Sequence, residues 1–291
     1  MPEASRSAGW SRRTVLRAFA PVPLLAVSGC GDSGSGSGSA DKSAATAAAS
    51  ITRGPNRTAS PAAAANAQSV ALAQPEVSQA PSVTDAVALT FHGDGSPELA
   101  QALLAEAEKA DARLTVLAVG QWLASYPQMA ERVLKSGHEL GNHTENHLDI
   151  DAMSESQAYD EIERCAQRLE QLTGSRGRWF RQSQAQHAST SVRAAATRAG
   201  YGTLLSYDLD PLDYTNPGTT AIERNVLDRI RGGDVVSMHL GHPETVTALP
   251  VILAGLSARG LRAVTASELF SQSGATASSA LSQLSQPTQN S

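Results

Sequence analysis

Between residues 85 and 270 short apolar runs alternate with longer helix-patterned stretches, and this alternation constrains the chain more than any other feature. The candidate strands are 86–91, 114–119, 139–140 with their neighbours, 178–181, 203–207, 234–239 and 262–265. Between them lie candidate helices at 97–110, 121–136, 154–172, 189–199, 219–231 and 245–259. Glycines that stop helices follow several of them, at Gly137, Gly174, Gly200 and Gly260. Ser154 and Gln157 are spaced as a capping box, each able to satisfy a backbone N–H near the other. Strand, helix, strand in repetition predicts an α/β fold, a parallel sheet covered by helices. About seven strands favour closure into a barrel over an open sheet.

The rest of the chain reads differently. Residues 31–84 are rich in Ser, Gly, Ala and Thr, without apolar periodicity, and are expected to be a flexible linker, since such a segment buries too little surface to offset its ordering entropy. Residues 271–291 return to this composition and are expected to be a disordered tail. At the other end, Arg12 and Arg13 precede a short apolar region, and the pair resembles a twin-arginine export signal. Val27-Ser28-Gly29-Cys30 resembles a bacterial lipobox. Residues 1–30 are thus expected to be a lipoprotein signal, with Cys30 lipidated and the exported chain anchored on the outer face of the cytoplasmic membrane. Cys30 and Cys165 lie in segments of different character, so no disulfide is expected; Cys165 reads as a small buried hydrophobe. A net charge of -5 gives no basic surface for nucleic acid, and no protein partner is implied.

Chemistry concentrates after the strands. Gly137 to His147 reads GHELGNHTENH, with His143 and His147 four residues apart, a spacing that lets two imidazoles reach one metal ion. In folds of this class, active residues collect at the C-terminal ends of the strands. There the sequence places His92 and Asp94 after the first strand, and His143 and His147 after the third. Arg181 and Gln184 follow the fourth, Asp208, Asp210 and Asp213 the fifth, and His239 and His242 the sixth. His187 reads as a surface residue and His138 as a buttress of the metal loop.

These residues resemble the polysaccharide deacetylases, the NodB-like carbohydrate esterases of family 4, across about residues 86–268. The resemblance is strongest in 114–120 followed by Tyr126-Pro127, and in 137–144 with His147. It implies a distorted, incomplete (β/α) barrel of about seven strands that removes acetyl groups, N-acetyl more than O-acetyl, from a sugar polymer by metal-assisted hydrolysis. It also implies an acetylated glycan as partner, peptidoglycan or an N-acetylglucosamine polymer. The family's T-F-D-D-G becomes Thr90-Phe91-His92-Gly93-Asp94-Gly95, with His92 and Gly93 in the two carboxylate positions. R-x-P-Y keeps only Arg181, with Gln184 in the aromatic position; D-x-x-D-W is kept as 210–214, ending in Tyr214; L-x-H keeps His239 after Ser237 and Met238.

The ligands expected for one divalent ion, zinc first and cobalt, nickel or manganese behind it, are His143, His147 and a third from the first motif. Either Asp94 binds the ion and His92 is the general base, or the two exchange roles. His239 is the expected acid for the departing amine, with Asp213 orienting it by analogy with the family. Arg181 steadies the base carboxylate in the family; here it is expected to hold Asp94 or an aspartate of 208–213. Gln184, Tyr214 and Met238 are assigned to the substrate-facing edge. The altered first motif keeps a second reading open, an inactive metal-bearing protein that grips glycan without cleaving it.

Overall fold

A computed structural model of the chain describes residues 75–80 and 84–271. The expected leader with Cys30, most of the expected linker and the tail from 272 onward lie outside the described residues. Among the described residues, no helix is long and apolar enough to cross a membrane.

The elements, in chain order, are β1 (Glu76–Val77), β2 (Ala86–Gly93), α1 (Pro97–Lys109), β3 (Thr115–Ala118), α2 (Gly120–Ser125), α3 (Gln128–Lys135), β4 (Glu139–Asn142), α4 (Glu155–Thr173), α5 (Thr190–Arg198), β5 (Leu204–Leu205), α6 (Thr219–Leu227), β6 (Val235–His239), α7 (Pro243–Ala258) and β7 (Arg262–Val264). Every strand pair is parallel. β2 is central: β6 runs along it, β3 pairs with its last residues and β7 with its first. β4 continues the sheet beyond β3. From there single bridges carry the wall round, Asn142 to Phe180 and Phe180 to Leu204, and a bridge from Leu209 to Val236 returns it to β6. A wall that is a continuous sheet on one side and single bridges on the other is a distorted α/β barrel.

The expected 178–181 strand is therefore one bridging residue, Phe180. The helix expected over 121–136 is two, divided at Pro127, whose ring disfavours helical geometry in the residue before it. Ser154 forms the capping box with Gln157, and Gly174 ends the same helix in the left-handed region. The folded unit also begins earlier than the apolar pattern suggests. Glu76 and Val77 pair with Leu204 and Leu205, and Ala80 is buried, although all three fall in the segment read as linker. Two paired residues are too few to show a strand period.

Alternation within the strands sorts residues to the two sides of the wall. Val87, Leu89 and Phe91 of β2, Val116 of β3, and Val236 and Met238 of β6 join the large core under the helices. Ala86 and Ala88, Leu117 and Val235 join a smaller cluster on the other side, with Trp179 and Leu205. Continuing that second face toward the strands' C-terminal ends brings Thr90 and His92 on β2 and Ser237 and His239 on β6 to one place, with His92 in register with His239.

Candidate active site

The pocket at that end has a volume of about 390 Å³. His92, His147, Ser237 and His239 line it, together with Gln182, Gln184 and Gln186 on one side and Tyr207, Asp210 and Tyr214 on another. Of the six non-glycine residues with positive φ among the described residues, Thr144, His147, Gln184, Leu212 and Asn216 lie in the loops of this end. Such backbone costs roughly 1–3 kcal/mol per residue and persists where surrounding contacts over-determine it.

His143 is buried at the end of β4, and its Nδ1 lies 3.0 Å from the carbonyl oxygen of Arg181. A carbonyl only accepts, so Nδ1 carries the hydrogen and Nε2 presents a lone pair. That Nε2 is buried and has no hydrogen-bond partner, an arrangement costly unless something electrophilic fills it. His92 stacks on the His143 ring at 4.0 Å between centroids, and His147 lies 4.8 Å from His143. One nitrogen from each of His92, His143 and His147 falls within 4.8 Å of the others. Three convergent imidazoles, one with an orphaned lone pair, are a donor set that fits a divalent ion of the zinc class. Burial, reinforced by the neighbouring imidazoles and Arg181, holds His92 and His143 well below the ordinary histidine pKa, which leaves both neutral, the form that can donate to a metal. Burial lowers His147 less far, with the Asp94 charge opposing it.

His92 has further partners. Its Nδ1 is 2.9 Å from Nε2 of His239, and its Nε2 faces Ser237 Oγ at 3.3 Å and Arg181 Nη1 at 3.4 Å. A guanidinium only donates, so Nε2 accepts and Nδ1 donates to His239. His239 in turn sets its Nδ1 2.7 Å from Asp213 Oδ1. Asp213 is fully buried and also accepts from the His239 N–H at 2.9 Å and from Thr245 Oγ1 at 2.7 Å. The result is one directed chain from Arg181 through His92 and His239 to Asp213.

Three placements correct the sequence-based expectations. Asp94 is exposed, outside the histidine group, and its carboxylate accepts the N–H of Gly95 at 2.7 Å. The reason is where the strand ends: parity would have turned Asp94 to the same face as His92, but β2 stops at Gly93, so His92 is the last strand residue facing the pocket and Asp94 falls in the turn. Nor does the intervening position offer a carboxylate, since a Cβ on Gly93 would meet Ala118 Cα at 2.9 Å. Met238 points into the helix-covered core and is fully buried, while its neighbours Ser237 and His239 line the pocket. Arg181 pairs with none of the aspartates expected for it. Its guanidinium is buried among Leu205 O at 2.8 Å, Ser206 O at 3.0 Å and Thr90 Oγ1 at 2.9 Å. Burial draws its pKa down to about 9, still a cation at neutral pH.

Gln184 is exposed in the pocket wall, its Nε2 donating to the His147 carbonyl at 2.9 Å. Tyr214 is 48% exposed, its ring 5.4 Å from that of His239. His242 bonds Asn216 just outside, and His187 is exposed, 3.4 Å from Glu76. His138 accepts the Leu114 N–H at the opposite end of β4 and does not touch the metal loop. Ser237 and Thr245 were not assigned a role from sequence. Ser237 was findable, since it is two residues before His239 on one strand face; Thr245 is linked to Asp213 only by packing.

Comparison with known proteins agrees with this geometry. The polysaccharide deacetylase family model matches residues 80–204. The peptidoglycan-N-acetylglucosamine deacetylase of Bacillus cereus is 32% identical over 195 residues, 63% of this chain and 87% of that one. The chitooligosaccharide deacetylase of a Bradyrhizobium species is 27% identical over 200 residues, 61% of this chain and 87% of that one. A family 4 carbohydrate esterase from Streptomyces lividans, solved in complex with acetate, superposes with a TM-score of 0.57 at 27% identity, over 61% of this chain and 90% of that one. With the barrel, the histidine loop and the His239–Asp213 pair all in place, and a relative this similar over most of its length, the chain belongs to the polysaccharide deacetylase family.

Proposed function

We propose that this protein is a metal-dependent hydrolase that removes N-acetyl groups from an N-acetylglucosamine-containing cell-wall glycan. The observation that carries the reading is the meeting of His92, His143 and His147 with the His239–Asp213 pair in one pocket. Its substrate class follows the relatives named for peptidoglycan and chitooligosaccharides.

His143 and His147 would hold the ion, zinc first and cobalt, nickel or manganese behind it, with His92 as the third donor in place of Asp94. An ion so held would polarise the acetyl oxygen and acidify a water. The chain's own residues do the rest. The Arg181 carbonyl fixes His143 so that Nε2 faces the site. Burial first, then the neighbouring imidazoles and the Arg181 cation, keep His92 neutral, and His92 would lend a nitrogen to an ion by releasing His239 or its Arg181 and Ser237 contacts. Asp213 orients His239, whose Nε2 would take up the proton lost by the attacking water and pass it to the departing amine nitrogen. Tyr214 offers an aromatic edge to the sugar. Leader and lipobox support an exported protein tethered through a lipid on Cys30; replacing Cys30 with Ser should release it from the membrane fraction.

The direct test is acetate release from N-acetylglucosamine oligomers and peptidoglycan by chelator-stripped protein before and after each metal is restored. Release that needs the metal supports the reading. If no metal gives acetate yet the protein still sediments with peptidoglycan, the second reading stands: a glycan-binding protein without hydrolysis. One observation favours that alternative. His92 occupies the base position and reaches His239 directly, so no carboxylate stands where the family has one.

A further inference from the structure

The histidine loop carries two left-handed non-glycine residues, Thr144 at φ 68° and His147 at φ 55°. Part of what holds it is local. The Thr144 N–H donates to Asn142 Oδ1 at 2.9 Å, and the His147 N–H donates to Thr144 Oγ1 at 3.1 Å. The rest comes from one residue of α4. The Asn146 N–H donates to Glu161 Oε2 at 2.8 Å, Asn146 Nδ2 donates to Glu161 Oε1, and the Glu145 N–H donates to the Glu161 carbonyl at 3.0 Å. Glu161 is 7% exposed and forms no ion pair among the described residues. Its neighbour Glu145, by contrast, is paired with Arg168 and bonded by Gln121. A buried carboxylate without a cation is retained where hydrogen bonds compensate it, and both oxygens of Glu161 are spent on the residue immediately before His147.

We propose that Glu161 is a positioning residue for the metal pair: by gripping Asn146 from both of its N–H groups it fixes where His147 stands relative to His143. The proposal rests on the metal reading above. Groups that orient first ligands typically carry 10–100-fold in metal affinity when removed. Glu161 acts one step further out, through the loop backbone, and does so at the one ligand whose backbone is left-handed.

The test is a titration of the full-length, metal-stripped protein with Co²⁺, followed by its visible absorption, and with Zn²⁺ by chelator competition. It is run well below the melting temperature so that only folded protein is compared. Glu161→Ala should weaken both metals about 10-fold or more. Glu161→Gln, which keeps an acceptor for the Asn146 N–H, should recover most of that loss. Asn146→Ala should match Glu161→Ala, and the double variant should be no worse than either alone. Should Glu161→Ala fail to fold, Asn146→Asp sets a second carboxylate against Glu161 and should weaken the metals comparably. Affinities within twofold of the parent in the Glu161 and Asn146 variants, or losses that add in the double variant, overturn the proposal while leaving the metal site intact. A parent protein that binds none of these metals overturns the metal reading itself, and this proposal with it.

Discussion

The histidine loop and the end of β2 face the same pocket and are held in opposite ways. Residues 143–147 sit in a web of short bonds, to Asn142, to Thr144 and to Glu161, which fixes two strained residues beside a metal-type donor set. Gly120 is part of it: a Cβ there would lie 1.9 Å from Glu145 Oε2, so only glycine admits that side chain. The end of β2 has no such web. His92 is positioned by strand register and by ring contacts with its neighbours, and Asp94 beyond it is turned to its own backbone. The loop keeps the histidine pair of the family pattern, whereas the strand end departs from that pattern. The part proposed to hold an ion is braced by bonds within and beside the loop. The part that would supply the base is a seam between strands, where one imidazole in place of a carboxylate touches both Arg181 and His239.

The sharpest way to break this comparison is to remove a ligand from the web. His143→Ala should abolish measurable zinc binding by metal analysis and bring acetate release to background. Next in size, Asp213→Asn should lower the turnover rate 100-fold or more at unchanged metal content, because it disturbs the orientation of His239 and touches none of the three metal-type imidazoles. The seam is probed by His92→Ala against Asp94→Ala. Zinc affinity by chelator competition should fall about 10-fold in the first and stay within about twofold in the second; the reverse result would return Asp94 to the ligand set.

The stability of the metal-stripped protein should depend on pH through both regions. The folded state keeps His92 and His143 neutral well below the ordinary value of 6.5, while the unfolded chain takes up protons there. Stability is therefore whole above about pH 6.5 and is lost as pH falls below it, by up to about 1.4 kcal/mol per pH unit for buried His143. Asp208, pushed up to about 7 by burial near Asp234, works in the other direction. The histidine share is isolated by comparing urea unfolding of the parent with that of His143→Gln between pH 7.5 and 5. The variant should lose less stability on acidification, and parallel curves would contradict the assignment. Smallest of all, Met238→Leu conserves volume in a helix-covered core and should cost under about 1.5 kcal/mol, with kinetics unchanged. Tyr214→Ala, exposed in the pocket, should raise KM severalfold with little change in stability.

Much of this molecule was readable before any coordinates, and the legible parts share a cause. The alternation of strand and helix, the capping box at Ser154, the glycine stop at Gly174 and the His143–His147 loop all depend on residues close in sequence, where period and spacing fix geometry directly. The pairing of His239 with Asp213 was legible only through family resemblance. What only the tertiary structure decided depends on which strand faces which. The end of β2 at Gly93 left His92 facing the pocket and Asp94 in the turn, and parity on β6 sent Met238 to the core. Packing of α4 against the loop brought Glu161 to Asn146, and two paired residues made β1 part of the wall. Spacing along a chain sets what a segment can reach; register and packing between segments far apart decide what it meets.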